Sequence, residues 1–326
     1  MPDSLSLGLL NLTSPAVLAF ALGIIAARLR SDLRVPDQVQ QFLSLVLLLA
    51  IGIKGGVALR SSQAAEVALP IVMAVLLGIA IPVLAYWCLR GLTRLNGVDR
   101  GAIAAHYGST SLVTFSAALV FMEAIGRSYE GYVTTLLTVL EIPGIIVGIL
   151  LAQRHAGRQV RWGEALREVL TGKSVVLLVG GLLIGLATGP DGYKKIEPLM
   201  GGLFQGLLMI FLLEMGVITG RRLGDVRRAG PGLVVFALLF PLIGGMLGVL
   251  AGWASGMSAG GAALFGVLCA SASYIAAPAA VRLALPEANP AISLTASLGM
   301  TFPFNLIIGI PLIAALAQAI IGPGSA

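Results

Sequence analysis

The sequence predicts an all-α polytopic membrane protein with ten transmembrane helices, arranged as two inverted five-helix repeats. Three observations carry that reading. Of 326 residues, 57% are hydrophobic and only 11% charged, with mean hydropathy +0.97, whereas a soluble domain is about a quarter charged. Apolar runs near the length that crosses a bilayer, about 20 residues, recur ten times. A polar, small-residue stretch in the fourth run, His106-Tyr-Gly-Ser-Thr-Ser-Leu-Val-Thr-Phe-Ser-Ala-Ala118, is echoed 162 positions later by Leu268-Cys-Ala-Ser-Ala-Ser-Tyr-Ile-Ala-Ala-Pro-Ala-Ala280.

The ten runs lie near 14–29, 39–59, 68–90, 101–121, 132–152, 174–189, 199–219, 232–252, 261–283 and 291–320. Backbone groups in lipid must be satisfied internally, so each is read as a helix. The last run is long and is expected to tilt, or to break at Pro303 or Pro311. Met1 to Thr13 lacks the basic n-region of a cleavable signal, and the first apolar run leads directly into a span. The 42 glycines suit close helix packing in lipid. Cys88 and Cys269 both fall in apolar runs, which argues against a disulfide or metal site.

Lys and Arg sort by side. With the N-terminus outside, 16 fall in inside loops and 4 outside, with Lys54 in a span. That asymmetry places both termini outside. The net charge of +6 is therefore a topology signal and not a nucleic-acid footprint.

The halves match at several points. Leu47-Leu-Leu-Ala-Ile-Gly-Ile-Lys-Gly-Gly56 in the second run aligns with Phe211-Leu-Leu-Glu-Met-Gly-Val-Ile-Thr-Gly220 in the seventh. Pro82 matches Pro241, and Glu141-Ile-Pro143 matches Thr301-Phe-Pro303. Five spans per repeat is an odd number, so the second copy is inverted, as in many secondary transporters. The repeats occupy 1–152 and 174–326. A basic cytoplasmic linker, 153–173, joins them, and its segment Gly163–Leu170 is expected to form a short interfacial helix.

The two polar stretches are candidates for a central site. A break at Gly108 or near Pro278 would turn a half-helix N-terminus, with its free N–H groups and partial positive charge, into the bundle, where it suits a small anion. Unwound carbonyls and hydroxyls there suit Na⁺. The competing reading has each Ser and Thr bonding back to its own helix. Ser109 falls on Ser271 and Ser111 on Ser273, and this alignment favours the site.

Charges at membrane depth are costly and are functional candidates. Glu141 is read as a cation ligand or coupling carboxylate. Glu214 and Lys54 are expected to pair as a structural ion pair, with a functional role for Glu214 equally open. Glu123 is expected to be solvated near the outer end. In the tenth run, Pro303 frees the carbonyl of Gly299 from its helical partner. Thr301, Asn305 and that carbonyl form a second Na⁺ candidate, level with a plain proline kink. His106 is expected near the cytoplasmic side as a packed residue, and His155 in the basic loop. No Walker motif, nucleophile elbow or zinc-protease motif is present, so no enzyme is expected.

The chain resembles the sodium-dependent bicarbonate transporter family along its whole length. The resemblance rests on Ser14-Pro-Ala-Val-Leu-Ala-Phe, Gly52-Ile-Lys-Gly-Gly56, His106-Tyr-Gly-Ser-Thr-Ser, Ala270-Ser-Ala-Ser-Tyr-Ile-Ala-Ala-Pro278 and Thr301-Phe-Pro-Phe-Asn305. It implies Na⁺-coupled bicarbonate uptake at the plasma (inner) membrane, a homotrimer, and an elevator mechanism. A gate domain of helices 1, 2, 6 and 7 would support a core of helices 3–5 and 8–10. It assigns the anion to Gly108, Ser109, Thr110, Ser111, Ser271, Ala272 and Ser273, with Na⁺ adjacent; the candidates for Na⁺ are the Glu141, Thr301 and Asn305 read above. A PII-like cytoplasmic regulator is a further implied partner, alongside membrane lipid. The competing functions are a Na⁺-coupled carrier of another small anion, such as a short carboxylate, and a transport-dead anion-sensing membrane protein.

Overall fold

The computed structural model describes residues 4–156, 162–226 and 229–322; Arg158, Arg161, Arg227 and Arg228 of the charge count lie outside them. Among the described residues there is no strand. The first part of the chain folds into α1 (Ser4–Leu12), α2 (Pro15–Arg28), α3 (Asp37–Ser61), α4 (Ala64–Leu92), α5 (Gly97–Gly108), α6 (Leu112–Ala124) and α7 (Val133–Gln153). The short linker helix α8 (Trp162–Thr171) follows. Then come α9 (Lys173–Glu197), α10 (Phe204–Val226), α11 (Pro231–Ala254), α12 (Ala259–Ala270), α13 (Ala277–Ala284) and the long α14 (Pro290–Ile321). Seven stretches among the described residues are long and apolar enough to cross a membrane, and α2 and α12 are shorter apolar helices. The chain is a multi-pass membrane protein.

Side-chain size sets how these helices meet. Along α2 and α10, Gly23 faces Gly216; a Cβ on Gly216 would collide with the Phe20 carbonyl. Along α3 and α9, Gly52 faces Gly181 and Gly56 faces Gly185. In both pairs the residue numbers rise together, so each pair is parallel. Small residues let the backbones touch, which replaces the hydrophobic drive that lipid removes. Helices α5 and α7 pair the opposite way, with Gly101 on Ala152, Ala105 on Gly148 and Gly108 on Gly144. Helices α11 and α12 do the same, with Gly248 on Gly266 and Gly252 on Ala262. The lipid-facing surface is the reverse: Leu22, Leu76, Ile79, Leu183, Ile184, Leu239 and Ile243 are exposed.

Helix α9 breaks at Gly189, whose φ of 62° is the left-handed region that glycine tolerates, and Pro190 follows. The Arg60 guanidinium donates to the carbonyls of Leu186 and Ala187 at 3.0 and 2.8 Å, which satisfies groups the break leaves without helical partners.

Two expectations are corrected here. Lys54 and Glu214 do not pair. The Glu214 carboxylate accepts from the Val35 backbone N–H at 2.9 Å, while the Lys54 ammonium stands 5.0 Å from the centre of the Phe204 ring. Phe204 is ten residues before Glu214 on the same helix, about 15 Å at the helical rise, so the two charges lie at different depths. Nor does Pro303 or Pro311 break the last helix. π-type turns over Thr295–Thr301 and Asn305–Gly309 flank Pro303, so that Phe302 N–H reaches Ser297 O and Ile310 N–H reaches Asn305 O, five residues back. Pro311 falls where the second π-type turn gives way to α-helical turns, and the helix continues through it.

Widening Gly216 to Ala should overpack the α2–α10 contact and cost about 1–3 kcal/mol. Thermal unfolding in detergent measures this, with Gly180→Ala, which faces open space, as the unaffected control. Equal melting of the two variants would contradict the close contact described here.

Candidate functional site

Two interrupted helices cross at one buried point. The first interruption runs from Ser109 to Ser111, between α5 and α6. Hydroxyls one bond from the backbone offer it local partners that compete with the helix. Ser111 is extended (φ −106°, ψ 110°) and caps α6, its Oγ accepting from Thr114 N–H at 3.2 Å. The second interruption runs from Ser271 to Ala276. Ser271 Oγ donates to the Leu268 carbonyl at 2.8 Å, closing α12, and Ser273 Oγ accepts from Ala277 N–H at 3.2 Å, opening α13. Pro278 occupies the first turn of α13, where proline suits a helix start.

The interruptions satisfy one another. Ser111 N–H donates to Ser271 Oγ at 2.9 Å. Ser273 N–H donates to the His106 carbonyl at 2.7 Å, and His106 Nδ1 donates to the Ser273 carbonyl at 2.7 Å. His106 is therefore buried at the crossing, not near a membrane face as expected from sequence. Two half-helix N-termini (α6, α13) and two C-termini (α5, α12) end here, so both signs of helix partial charge meet within one small volume.

Glu141 of α7 belongs to the same point. It is 4% exposed and accepts from Thr110 Oγ1 at 2.8 Å and Ser109 Oγ at 3.4 Å. Among the described residues it has no ion-pair partner. A cavity of about 10 Å³ lies beside it, bounded by Thr110, Ser111, Ser273 and Tyr274 on one side and by Leu48 and Leu178 on the other. That is space for one water-sized particle. The crossing thus faces α3 and α9.

The sequence-derived residues divide into two groups. Ser109, Thr110, Ser111, Ser271, Ser273 and Glu141 are joined by the hydrogen bonds above. Ala272 is buried between the two serines, and Gly108 packs on Gly144 and Pro82. Thr301 and Asn305 sit apart, lining no part of that cavity. Thr301 donates to the Ala237 carbonyl at 2.7 Å and accepts from the Tyr107 hydroxyl at 2.6 Å. Asn305 Nδ2 donates to the Ala270 carbonyl, the last of α12, at 2.8 Å, while its Oδ1 is buried without a partner. No hydrogen bond among the described residues links Glu141 to Thr301 or Asn305. Tyr107, which bonds Thr301, and Ser174, which lines the cavity, are not marked as site residues by the sequence pattern. Tyr107 is the one large side chain between His106 and Gly108, and Ser174 is a lone hydroxyl at the start of an apolar run; those oddities were the available signals.

Among known families, the Na⁺-dependent bicarbonate transporter superfamily matches residues 15–318 of the chain. No curated protein matches it.

Replacing Thr301 with Val keeps the volume but leaves the Tyr107 hydroxyl without its acceptor and the Ala237 carbonyl without its donor. A loss of about 1–3 kcal/mol is expected. Adding Tyr107→Phe should cost clearly less in that background than in the native chain. Strict additivity in the double-mutant cycle would contradict the Tyr107–Thr301 bond.

Proposed function

The chain belongs to the Na⁺-dependent bicarbonate transporter superfamily, a family of transporters and not of enzymes, and on that premise we propose that it is a sodium-coupled symporter. It takes up bicarbonate across the plasma (inner) membrane by alternating access. The observation that carries this reading is the mutual crossing of two broken helices beside a buried, unpaired carboxylate. The half-helix N-termini of α6 and α13 favour an anion, held by Gly108, Ser109, Thr110, Ser111, Ser271, Ala272 and Ser273. The half-helix C-termini of α5 and α12 favour a cation. A buried carboxylate is costly without a counter-charge, and this supports Glu141 as a Na⁺ ligand. The free Oδ1 of Asn305, beside the last carbonyl of α12, supports a cation position there, with the Thr301 hydroxyl about one turn earlier on α14.

Ten spans in two inverted repeats agree with the packing directions. If α3 corresponds to α10, their parallel partners α9 and α2 must correspond too, and the glycine pairs obey this. Helices α2, α3, α9 and α10 pack as one group, the proposed gate. Helices α4, α5 and α7 pack as another, as do α11, α12 and the end of α14, and α4 touches α11; these form the proposed core. The anion lies where core meets gate. A cavity of about 10 Å³ is too small for four heavy atoms, so binding requires the two groups to part. This fits alternating access. The arginine-rich loops support an orientation with both termini outside. A homotrimer and a PII-like cytoplasmic regulator complete the proposal by family resemblance.

Ser109→Ala combined with Ser271→Ala should cut uptake of labelled bicarbonate into proteoliposomes at least about tenfold, at about 1.4 kcal/mol per decade, without loss of folded protein. Unchanged uptake would remove the crossing from the site. Asn305→Ala should raise the Na⁺ concentration for half-maximal uptake, and an unaltered Na⁺ dependence would exclude it as a ligand.

A further inference from the structure

A second, larger cavity of about 550 Å³ opens at the end of the molecule where α3, α6 and α9 finish and α7 and α10 begin. Under the orientation proposed above this is the outer face. Glu123, Glu197, Tyr129, Tyr193 and Gln205 line it, and so does Lys54. Lys54 is the only positively charged side chain among the described lining residues. It is carried seven residues inside the end of α3, about two turns, within a helix otherwise apolar at that depth.

A cation there is unfavourable unless something offsets it. The usual offset, an ion pair, is missing: among the described residues neither Glu123 nor Glu197 is bridged to Lys54. Glu123 instead accepts from the Tyr129 hydroxyl at 3.3 Å and Gln205 Nε2 at 3.1 Å. Burial, with Glu123 beside it, pushes the Tyr129 hydroxyl up to about 12, so it stays a donor to that carboxylate at any working pH. The ammonium rests over the Phe204 ring, a weak partner that an anion can displace.

The vestibule and the small cavity share their walls. On α3, Lys54 borders the first and Leu48 the second; on α7, Thr134 and Leu137; on α6, Leu119 and Leu112. Six residues of α3 separate the two levels, about 9 Å. Lys54 thus stands on the outward side of the helix crossing, beyond the level of Leu48, Leu112 and Leu137.

We propose that Lys54 is the anion-capture residue of this transporter: its ammonium draws a hydrated monovalent oxyanion into the outer vestibule and so sets the apparent affinity for bicarbonate. This rests on the transport reading above. Lys54 acts before the substrate reaches the crossing, so it governs KM and not the maximal rate. A charge acting through the water of the vestibule is screened by salt, and this separates capture from a merely structural role.

The test is bicarbonate uptake by proteoliposomes of the full chain at fixed Na⁺, with ionic strength varied by an inert choline salt. Lys54→Met should raise KM about tenfold at low salt, leave the maximal rate within about twofold, and abolish the salt dependence of KM that the wild type shows. Lys54→Arg should restore both. Identical KM and salt dependence in wild type and Lys54→Met would overturn the proposal. If Lys54→Met fails to fold, Lys54→Cys decides, after modification from outside with a cationic or an anionic methanethiosulfonate and with wild type treated identically. The cationic adduct should give the lower KM, and equal values would overturn the proposal. Wild-type protein that takes up no bicarbonate would overturn the transport reading itself, and this inference with it.

Discussion

No water in a bilayer core can partner a broken helix, so every backbone group freed there must find its partner within the protein. This chain breaks two helices at depth and answers the demand with a single device, in which each break caps the other. His106 and Ser273 exchange a backbone and a side-chain bond, and Ser271 receives the Ser111 N–H. The glycine contacts that bring α5 onto α7 and α12 onto α11 hold the breaks close enough to meet. What the crossing leaves unanswered is the Glu141 carboxylate and the asymmetry between half-helix ends. Those are the groups that a cation and an anion would complete.

The same demand shapes the periphery of the fold. Where α9 breaks at Gly189, Arg60 reaches across from α3 to take two carbonyls. Where Pro303 would orphan a carbonyl, the register of α14 loosens into π-type turns on both sides. Asn11 then donates to the carbonyl of Leu306 at 2.8 Å inside the second of those turns, docking α1 onto α14. In each case an irregularity persists because a specific side chain or a local change of register meets its hydrogen-bonding needs.

Much of this was legible in the sequence, for identifiable reasons. Apolar length marks the spans, and the breaks follow from Gly, Ser and Thr in one half and Ser, Ala and Pro in the other, where Leu would suffice. Ser109, Ser111, Ser271 and Ser273 could be named because the two halves echo one another. What was hidden is the relative depth and rotation of helices distant in the chain. Lys54 and Glu214 look like partners because both are charges within apolar runs, yet they lie at different depths along α3 and α10. The bonds of His106 to Ser273 and of Tyr107 to Thr301 span 167 and 194 residues and have no periodic signature. Forty-two glycines signal close packing, but which glycine meets which is decided only by tertiary contact. The effect of Pro303 is not legible from sequence because π-type turns, which depend on neighbouring helices, absorb it.

The central claim is that the crossing of the two broken helices serves a Na⁺-coupled anion carrier. The most direct measurement is accumulation of labelled bicarbonate by the wild-type chain in proteoliposomes, with an inward Na⁺ gradient, with equal Na⁺ on both sides, and with none, at a pH where bicarbonate dominates over carbon dioxide. The account predicts uphill accumulation only with the gradient. Accumulation indifferent to Na⁺, or none at all from demonstrably folded protein, would contradict it.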